Sequence, residues 1–144
     1  CDMKNIYELS KEYNFKIIED ASHAVGSQIN NHKIGNCKFS EITVFSFHPV
    51  KIITTGEGGM VVFKKKTHAN LAKILRNQGK TDTKNFINEH IGFNFRMTNI
   101  QAAIGLAQLD RLNNFLTLRK KVFNKFIGIT RKINISNTHK YSRA

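Results

Sequence analysis

The sequence contains no tryptophan, one proline and two cysteines among its 144 residues. The cysteines, Cys1 and Cys37, form no CxxC pair and have no metal-ligand spacing, so no metal site is expected. This cysteine usage predicts a reduced, cytosolic setting, which places the protein in the cytoplasm. No run of about 18 apolar residues occurs, so no membrane-spanning helix is expected.

Acidic residues are scarce: the chain has 10 Asp and Glu and 23 Lys and Arg. The formal net charge is therefore +13. Such a charge can indicate binding to nucleic acid. The basic residues are spread along the chain, however, and no stretch interleaves them with aromatic residues as a stacking platform does. We therefore expect no nucleic-acid partner. A basic nucleic-acid-binding module is the alternative, and a salt titration of DNA binding would test it.

The spacing of apolar residues predicts an α/β chain. The predicted helices cover 2–14, 67–77 and 100–112, the predicted strands cover 15–19, 41–47 and 60–63, a polar surface excursion covers 27–40, and 81–95 is predicted to be loop. A helix followed at once by a strand is typical of a parallel sheet. Ligands of such sheets bind beyond the carboxyl ends of the strands, and Asp20 lies at one of these ends.

A lysine, Lys51, follows the predicted strand 41–47 and precedes a turn rich in glycine. Its apolar neighbours, Val50, Ile52 and Ile53, can desolvate the side chain and favour the neutral amine, which attacks aldehydes and forms a Schiff base. The glycines that follow allow the backbone to approach a ligand closely. On spacing alone, a surface lysine in a glycine-rich loop is the simpler interpretation.

Three motifs, in this order, resemble those of the DegT/StrS-type sugar aminotransferases, which use pyridoxal 5′-phosphate (PLP). They are IEDASHAVG at 18–26, SFHPVKIITTGEGG at 46–59 and GFNFRMTNIQAA at 92–103. The resemblance covers about residues 2–126. It implies an α/β fold that is part of the large PLP-binding domain of the aspartate-aminotransferase-like (type I) fold, with a mostly parallel sheet and flanking helices.

The resemblance also implies a role for individual residues. Lys51 would hold PLP covalently and act as the catalytic acid and base, and Asp20 would keep the pyridine nitrogen protonated. His23 would lie near the cofactor ring and its phenolic oxygen, and Ser46 would hydrogen-bond the cofactor phosphate. Asn94 would reach across a dimer interface to the phosphate in the partner's site.

Each of these roles has a structural alternative. Asp20 could be a capping or turn aspartate, His23 a core histidine, and Ser46 a strand-end hydroxyl that bonds its own turn. Thr98 and Gln101 have the spacing of a capping box, so part of the third motif is helix-start chemistry that is compatible with the functional role.

By the same resemblance, residues 1–98 are part of the large PLP-binding domain. Residues 99–127 are a long helix that leads toward a small domain, and residues 128–144 are a polar tail without a family counterpart. The family enzymes are more than twice as long, the first residue is not Met, and neither the upstream phosphate-binding loop nor the small domain is recognisable. We therefore expect the chain to be a middle piece of a longer protein.

The implied function is PLP-dependent transfer of an amino group from glutamate to a nucleotide-linked 4-keto-6-deoxy sugar, in a homodimer with shared active sites. The second motif is most similar to that of aminotransferases that make the pseudaminic acid precursor from UDP-linked sugars, and a GDP-perosamine-type synthase is the alternative. A non-catalytic relative, a remnant or interaction domain that kept the fold, is the second hypothesis. Loss of Lys51 would be its signature, and Lys51 is present.

Overall fold

The computed structural model describes residues 1–82, 84 and 87–132, which combine helices with short strands. The helices are α1 (Met3–Glu12), α2 (Lys66–Leu75), α3 (Asn99–Asp110) and α4 (Leu112–Lys132). The strands are β1 (Ile18–Asp20), β2 (Gln28–Ile29), β3 (His32–Lys33), β4 (Ile42–Ser46), β5 (Gly59–Phe63), β6 (Lys80–Asp82) and β7 (Ile87–Asn88).

Strand β4 is the centre of a three-stranded sheet with the order β1-β4-β5. Strand β1 runs parallel to β4, with Asp20 opposite Val44. Strand β5 runs antiparallel to β4, with Gly59 opposite Ser46. The sheet is therefore partly parallel. The connection between β4 and β5, residues 47–58, contains no crossover helix, which a parallel connection usually requires, and we call it the lysine loop.

The strand predicted at 15–19 begins later, at Ile18. Phe15 still belongs to the exit of α1, because its N–H donates to Ser10 O at 3.2 Å. The left-handed residue just after this helix is Asn14, with φ of +52°, a conformation that asparagine adopts readily at helix ends. These contacts leave a short β1 whose last residue is Asp20.

The polar excursion contains a hairpin, formed by β2 and β3. Asn30 and Asn31 both have positive φ, 48° and 63°, as the favoured two-residue hairpin turn requires. The predicted loop at 81–95 includes β7 and the end of β6, which form a second short antiparallel pair.

One long helix is expected over 99–127, and the structure has two helices there: α3 ends at Asp110 and α4 begins at Leu112, with Arg111 between them. Helix α3 begins with a complete capping box between Thr98 and Gln101, as predicted. Helix α4 extends to Lys132, and the rest of the predicted polar tail, from residue 133, lies outside the described residues. Among the residues described, no helix is both long and apolar enough to cross a membrane.

Few large apolar side chains are fully buried in the part of the chain that the structure describes. The buried apolar residues are Ala21, Cys37 and Ile53, whereas Ile91 is 95% exposed and Phe95 is 74% exposed. Exposed apolar surface of this extent typically marks a site of association with other protein.

Candidate active site

The lysine loop is closed by backbone hydrogen bonds at its base. Phe47 N donates to Gly58 O at 2.9 Å, and Thr55 N donates to Phe47 O at 3.0 Å. Within the loop, Lys51 N donates to His48 O at 3.0 Å. The side chain of Lys51 thus projects from a loop whose two ends are fixed by the sheet.

Lys51 contacts His23, which comes from the segment after β1. The distance between Lys51 Nζ and His23 Nε2 is 2.7 Å. An imidazole nitrogen can accept a hydrogen bond from an ammonium group, so the two side chains can be joined by a hydrogen bond. His23 is exposed in this chain, unlike a histidine buried in the core. Beside Lys51, Ile53 is buried and Val50 is 71% exposed, so only part of the expected apolar surround is present.

Asp20 lies at the end of β1, in the same cluster. Its Oδ1 accepts hydrogen bonds from Ser22 Oγ at 2.5 Å and from Ser22 N at 3.0 Å. These two bonds, the side-chain bond first, lower the pKa of Asp20 below its ordinary value of 3.8. Burial opposes them, and the charges of Lys51 and His23 add to the lowering. Asp20 is therefore an ionised carboxylate at neutral pH, within electrostatic reach of both basic side chains.

Ser22→Ala removes the strongest of these influences on Asp20, so we expect the pKa of Asp20 to rise toward 3.8. Because the folded pKa is lowered, the hydrogen bonds stabilise the fold above 3.8, and this contribution is lost as the pH falls through the folded pKa. A carbon-13 NMR titration of the Asp20 carboxyl group measures the change. An unchanged or lower midpoint in the Ser22→Ala variant would refute this account of the carboxylate.

Ser46 is the last residue of β4. Its Oγ accepts a hydrogen bond from His48 N at 3.3 Å, so the strand-end role considered as the alternative is present. That bond occupies a lone pair of the hydroxyl and leaves its O–H able to donate. The two roles of Ser46 are therefore compatible.

Asn94 lies elsewhere, in an open cavity of about 510 Å³ that we call the arginine groove. The residues that line the groove are Arg76, Asn94, Arg96, Met97, Thr98 and Asn99. None of the other predicted site residues lines this groove, whereas Lys51 contacts His23 and the charges of both act on Asp20. Its two guanidinium groups make the groove a cationic surface.

Sequence reasoning missed two groups that hold Asp20 in place. Ser22 is one of them, and its signal is a serine two residues after an aspartate, the spacing of an Asx turn. Glu19 is the other, because its Oε2 accepts from Thr43 Oγ1 at 3.1 Å and from Ser40 Oγ at 3.4 Å, which joins β1 to β4 beside Asp20. A threonine inside an otherwise apolar strand is a signal for such a buried partner.

The cluster of Asp20, His23 and Lys51, together with Ser46 at the end of β4, offers the groups that PLP requires. Lys51 supplies an amine for an aldehyde, Asp20 supplies a carboxylate for a protonated pyridine nitrogen, and Ser46 supplies a hydroxyl for a phosphate. The chemistry of these side chains fits the cofactor. Within residues 1–82, 84 and 87–132, no three His, Cys, Asp or Glu side chains group together as metal ligands would.

Comparison with known proteins shows the family. Residues 1–141 match the DegT/DnrJ/EryC1/StrS aminotransferase family, and the chain belongs to it. The chain is similar to the GDP-perosamine synthase of Caulobacter vibrioides, with 44% identity over 122 residues, 85% of this chain and 32% of the relative. It is also similar to the UDP-4-amino-4,6-dideoxy-N-acetyl-beta-L-altrosamine transaminase of Campylobacter jejuni, with 38% identity over 123 residues, 84% of this chain and 32% of the relative.

Among solved structures, the chain resembles the PLP-form of the putative sugar aminotransferase Spr1654 from Streptococcus pneumoniae. The TM-score is 0.79 at 27% identity, and the match covers 91% of this chain and 38% of that one. These matches confirm the predicted family, the α/β fold of a PLP-dependent aminotransferase, and PLP as the cofactor of the family. The chain spans about a third of the length of the curated relatives it matches.

Proposed function

We propose that this chain is the central part of the large cofactor domain of an aminotransferase that transfers an amino group from glutamate to a nucleotide-linked 4-keto-6-deoxy sugar. The observation that carries the proposal is the 2.7 Å contact between Lys51 Nζ and His23 Nε2, next to the ionised Asp20. Three reactive side chains from two separate segments meet there. Family membership and two nucleotide-sugar relatives support the substrate class.

PLP, when bound, supplies an aldehyde and a ring that accepts electrons from the reacting carbon. Lys51 would hold the cofactor through Nζ. In its free form, the same Nζ would accept a proton and then return it, as general base and general acid. His23 Nε2 would orient the free amine by accepting its hydrogen bond.

Asp20 and Ser46 would hold the two ends of the cofactor. The carboxylate of Asp20 would keep a proton on the ring nitrogen, and its lowered pKa keeps it charged for this task. The Ser46 O–H would donate to the cofactor phosphate while its oxygen still accepts from His48 N.

Asn94 would act in the site of a second copy, in a homodimer. The support for this role is its location in the open arginine groove, away from Lys51, together with the exposed apolar side chains around it. In this proposal residues 1–98 form part of the cofactor domain, 99–127 lead toward a small domain, and the enzyme works in the cytoplasm.

The direct test uses the natural protein that contains this chain, purified with PLP and supplied with glutamate. GDP-linked and UDP-linked 4-keto-6-deoxy sugars are assayed in parallel, and mass spectrometry detects the amino sugar and 2-oxoglutarate. Formation of both products with either substrate supports the proposal and identifies the nucleotide. If neither substrate reacts and PLP does not bind, the non-catalytic alternative is correct.

For the 144 residues expressed alone, we expect poor solubility or a molten state, weak PLP binding and no transamination. The reason is that few apolar residues are fully buried among those that the structure describes, and that strand residues such as Val61, 46% exposed, are open to solvent. Borohydride reduction after addition of PLP, with peptide mapping, should show labelling scattered over many lysines. Selective, stoichiometric labelling of Lys51 in a soluble dimer would contradict this prediction.

A further inference from the structure

The lysine loop and the arginine groove are far apart in sequence and touch each other in the fold. The groove residues Met97 and Thr98 lead directly into α3. The first turns of α3 lie against the second half of the lysine loop. Whatever joins these two segments sets the position of the groove relative to Lys51.

Gln101 joins them with one side chain. Its Oε1 accepts from Thr98 N at 2.9 Å and from Thr98 Oγ1 at 3.0 Å. Its Nε2 donates to Glu57 O at 3.0 Å, across 44 residues of sequence. One end of the amide therefore caps α3 and the other end holds the lysine loop.

The packing between the loop and α3 is close at two glycines. A Cβ built on Gly105 would lie 2.8 Å from Thr55 Cγ2, and one built on Gly58 would lie 2.8 Å from Met97 Cε. Thr55 is buried, and its Oγ1 also donates to Glu57 O, at 2.8 Å. The carbonyl of Glu57 is thus held from the loop side by Thr55 and from the helix side by Gln101.

We propose that Gln101 is a positioning residue, which holds the lysine loop against α3 so that Lys51 and the arginine groove keep a fixed relation. The positioning role rests on the proposed function, since it concerns the lysine that would hold PLP. A capping box alone needs only an acceptor at this position, and Glu serves as well as Gln. The bond to Glu57 O needs a donor, which only the amide supplies.

Gln101→Glu separates these two tasks. The variant keeps the acceptor that caps α3, loses the donor to Glu57 O, and places a negative oxygen against that carbonyl. Thr98→Ala is the matched control, because it removes the cap hydroxyl and leaves the amide donor in place. Gly105→Ala is a second variant that disturbs the same contact from the next turn of α3.

The first measurement is hydrogen–deuterium exchange without cofactor, in the natural protein that contains this chain. We expect exchange in residues 52–59 to rise about fivefold or more in Gln101→Glu and in Gly105→Ala, the size expected from loss of one hydrogen bond. The first turn of α3 should stay as protected as in the wild type in Gln101→Glu. Thr98→Ala should show the reverse pattern, with faster exchange at the start of α3 only.

The second measurement is the rate at which PLP is trapped on Lys51 by borohydride, which we expect to fall about fivefold or more in Gln101→Glu. If the wild type traps PLP and Gln101→Glu changes neither exchange nor trapping, the positioning role is wrong and the proposed function stands. If the wild type traps no PLP on Lys51, the proposed function fails, and the positioning role of Gln101 fails with it even where exchange increases.

Discussion

Lys51→Ala in the holoenzyme is expected to abolish transamination and covalent attachment of PLP. The variant lacks the only nitrogen that the site cluster offers to an aldehyde, since His23 and Asp20 cannot replace a primary amine. The absorbance band of the covalently held cofactor, at the edge of the visible range, should be missing from the dialysed Lys51→Ala variant. An absorbance band that survives dialysis unchanged would refute the role of Lys51.

Two further variants make this result specific. Lys51→Arg should fail as completely as Lys51→Ala, because a guanidinium stays protonated and does not condense with an aldehyde. Lys4→Ala, at an exposed lysine of α1, should retain the absorbance band and the wild-type rate. Loss of activity in Lys4→Ala would show that a general loss of positive charge, and not the missing nucleophile, explains the first result.

Asp20→Asn is expected to bind PLP and to lower turnover by about a hundredfold or more, the size typical of a lost electrostatic contact in an active site. A neutral amide cannot hold the proton on the ring nitrogen, whereas the carboxylate of Asp20, whose pKa is lowered by the hydrogen bonds from Ser22, is ionised at neutral pH. Turnover is measured at saturating concentrations of glutamate and sugar, so that a change in substrate binding does not affect the measured rate.

The control for Asp20→Asn is Asp110→Asn, an equivalent change at an exposed residue that ends α3. It should leave turnover at the wild-type value. If turnover in Asp20→Asn stays within about threefold of the wild type, a barrier change below about 1 kcal/mol, Asp20 does not have the proposed role.

Local patterns in the sequence predict the elements that depend on local chemistry. The strand Ile42–Ser46 lies inside the predicted 41–47, and the capping box at Thr98 is found as predicted. The break at Arg111 was missed, because apolar residues continue at helical spacing on both sides of it. Periodicity reports which residues could share a helix face and does not report where the axis is interrupted.

Contacts between distant segments could not be predicted from the sequence in the same way. The motif resemblance gave roles to Lys51 and His23 separately, and only the fold gives the 2.7 Å between their nitrogens. The same holds for Gln101, whose capping partner is three residues away and whose second partner, Glu57 O, is 44 residues away. The spacing of a capping box predicts the bond to Thr98, and no local spacing predicts the bond to Glu57 O.

The pairing of Ser46 with Gly59 makes the lysine loop an exchangeable unit. Residues 47–58 connect the paired residues Ser46 and Gly59, which lie opposite each other at the end of β4 and the start of β5. The entropy of closing such a loop depends only weakly on its length. Loops of other lengths, taken from relatives, could therefore be transplanted between these two residues without altering the register of the strands. Two features must be kept when the loop is exchanged: the glycine at position 59, where a Cβ would lie 2.6 Å from Phe45 O, and a carbonyl that accepts the hydrogen bond of Gln101 Nε2, as Glu57 O does.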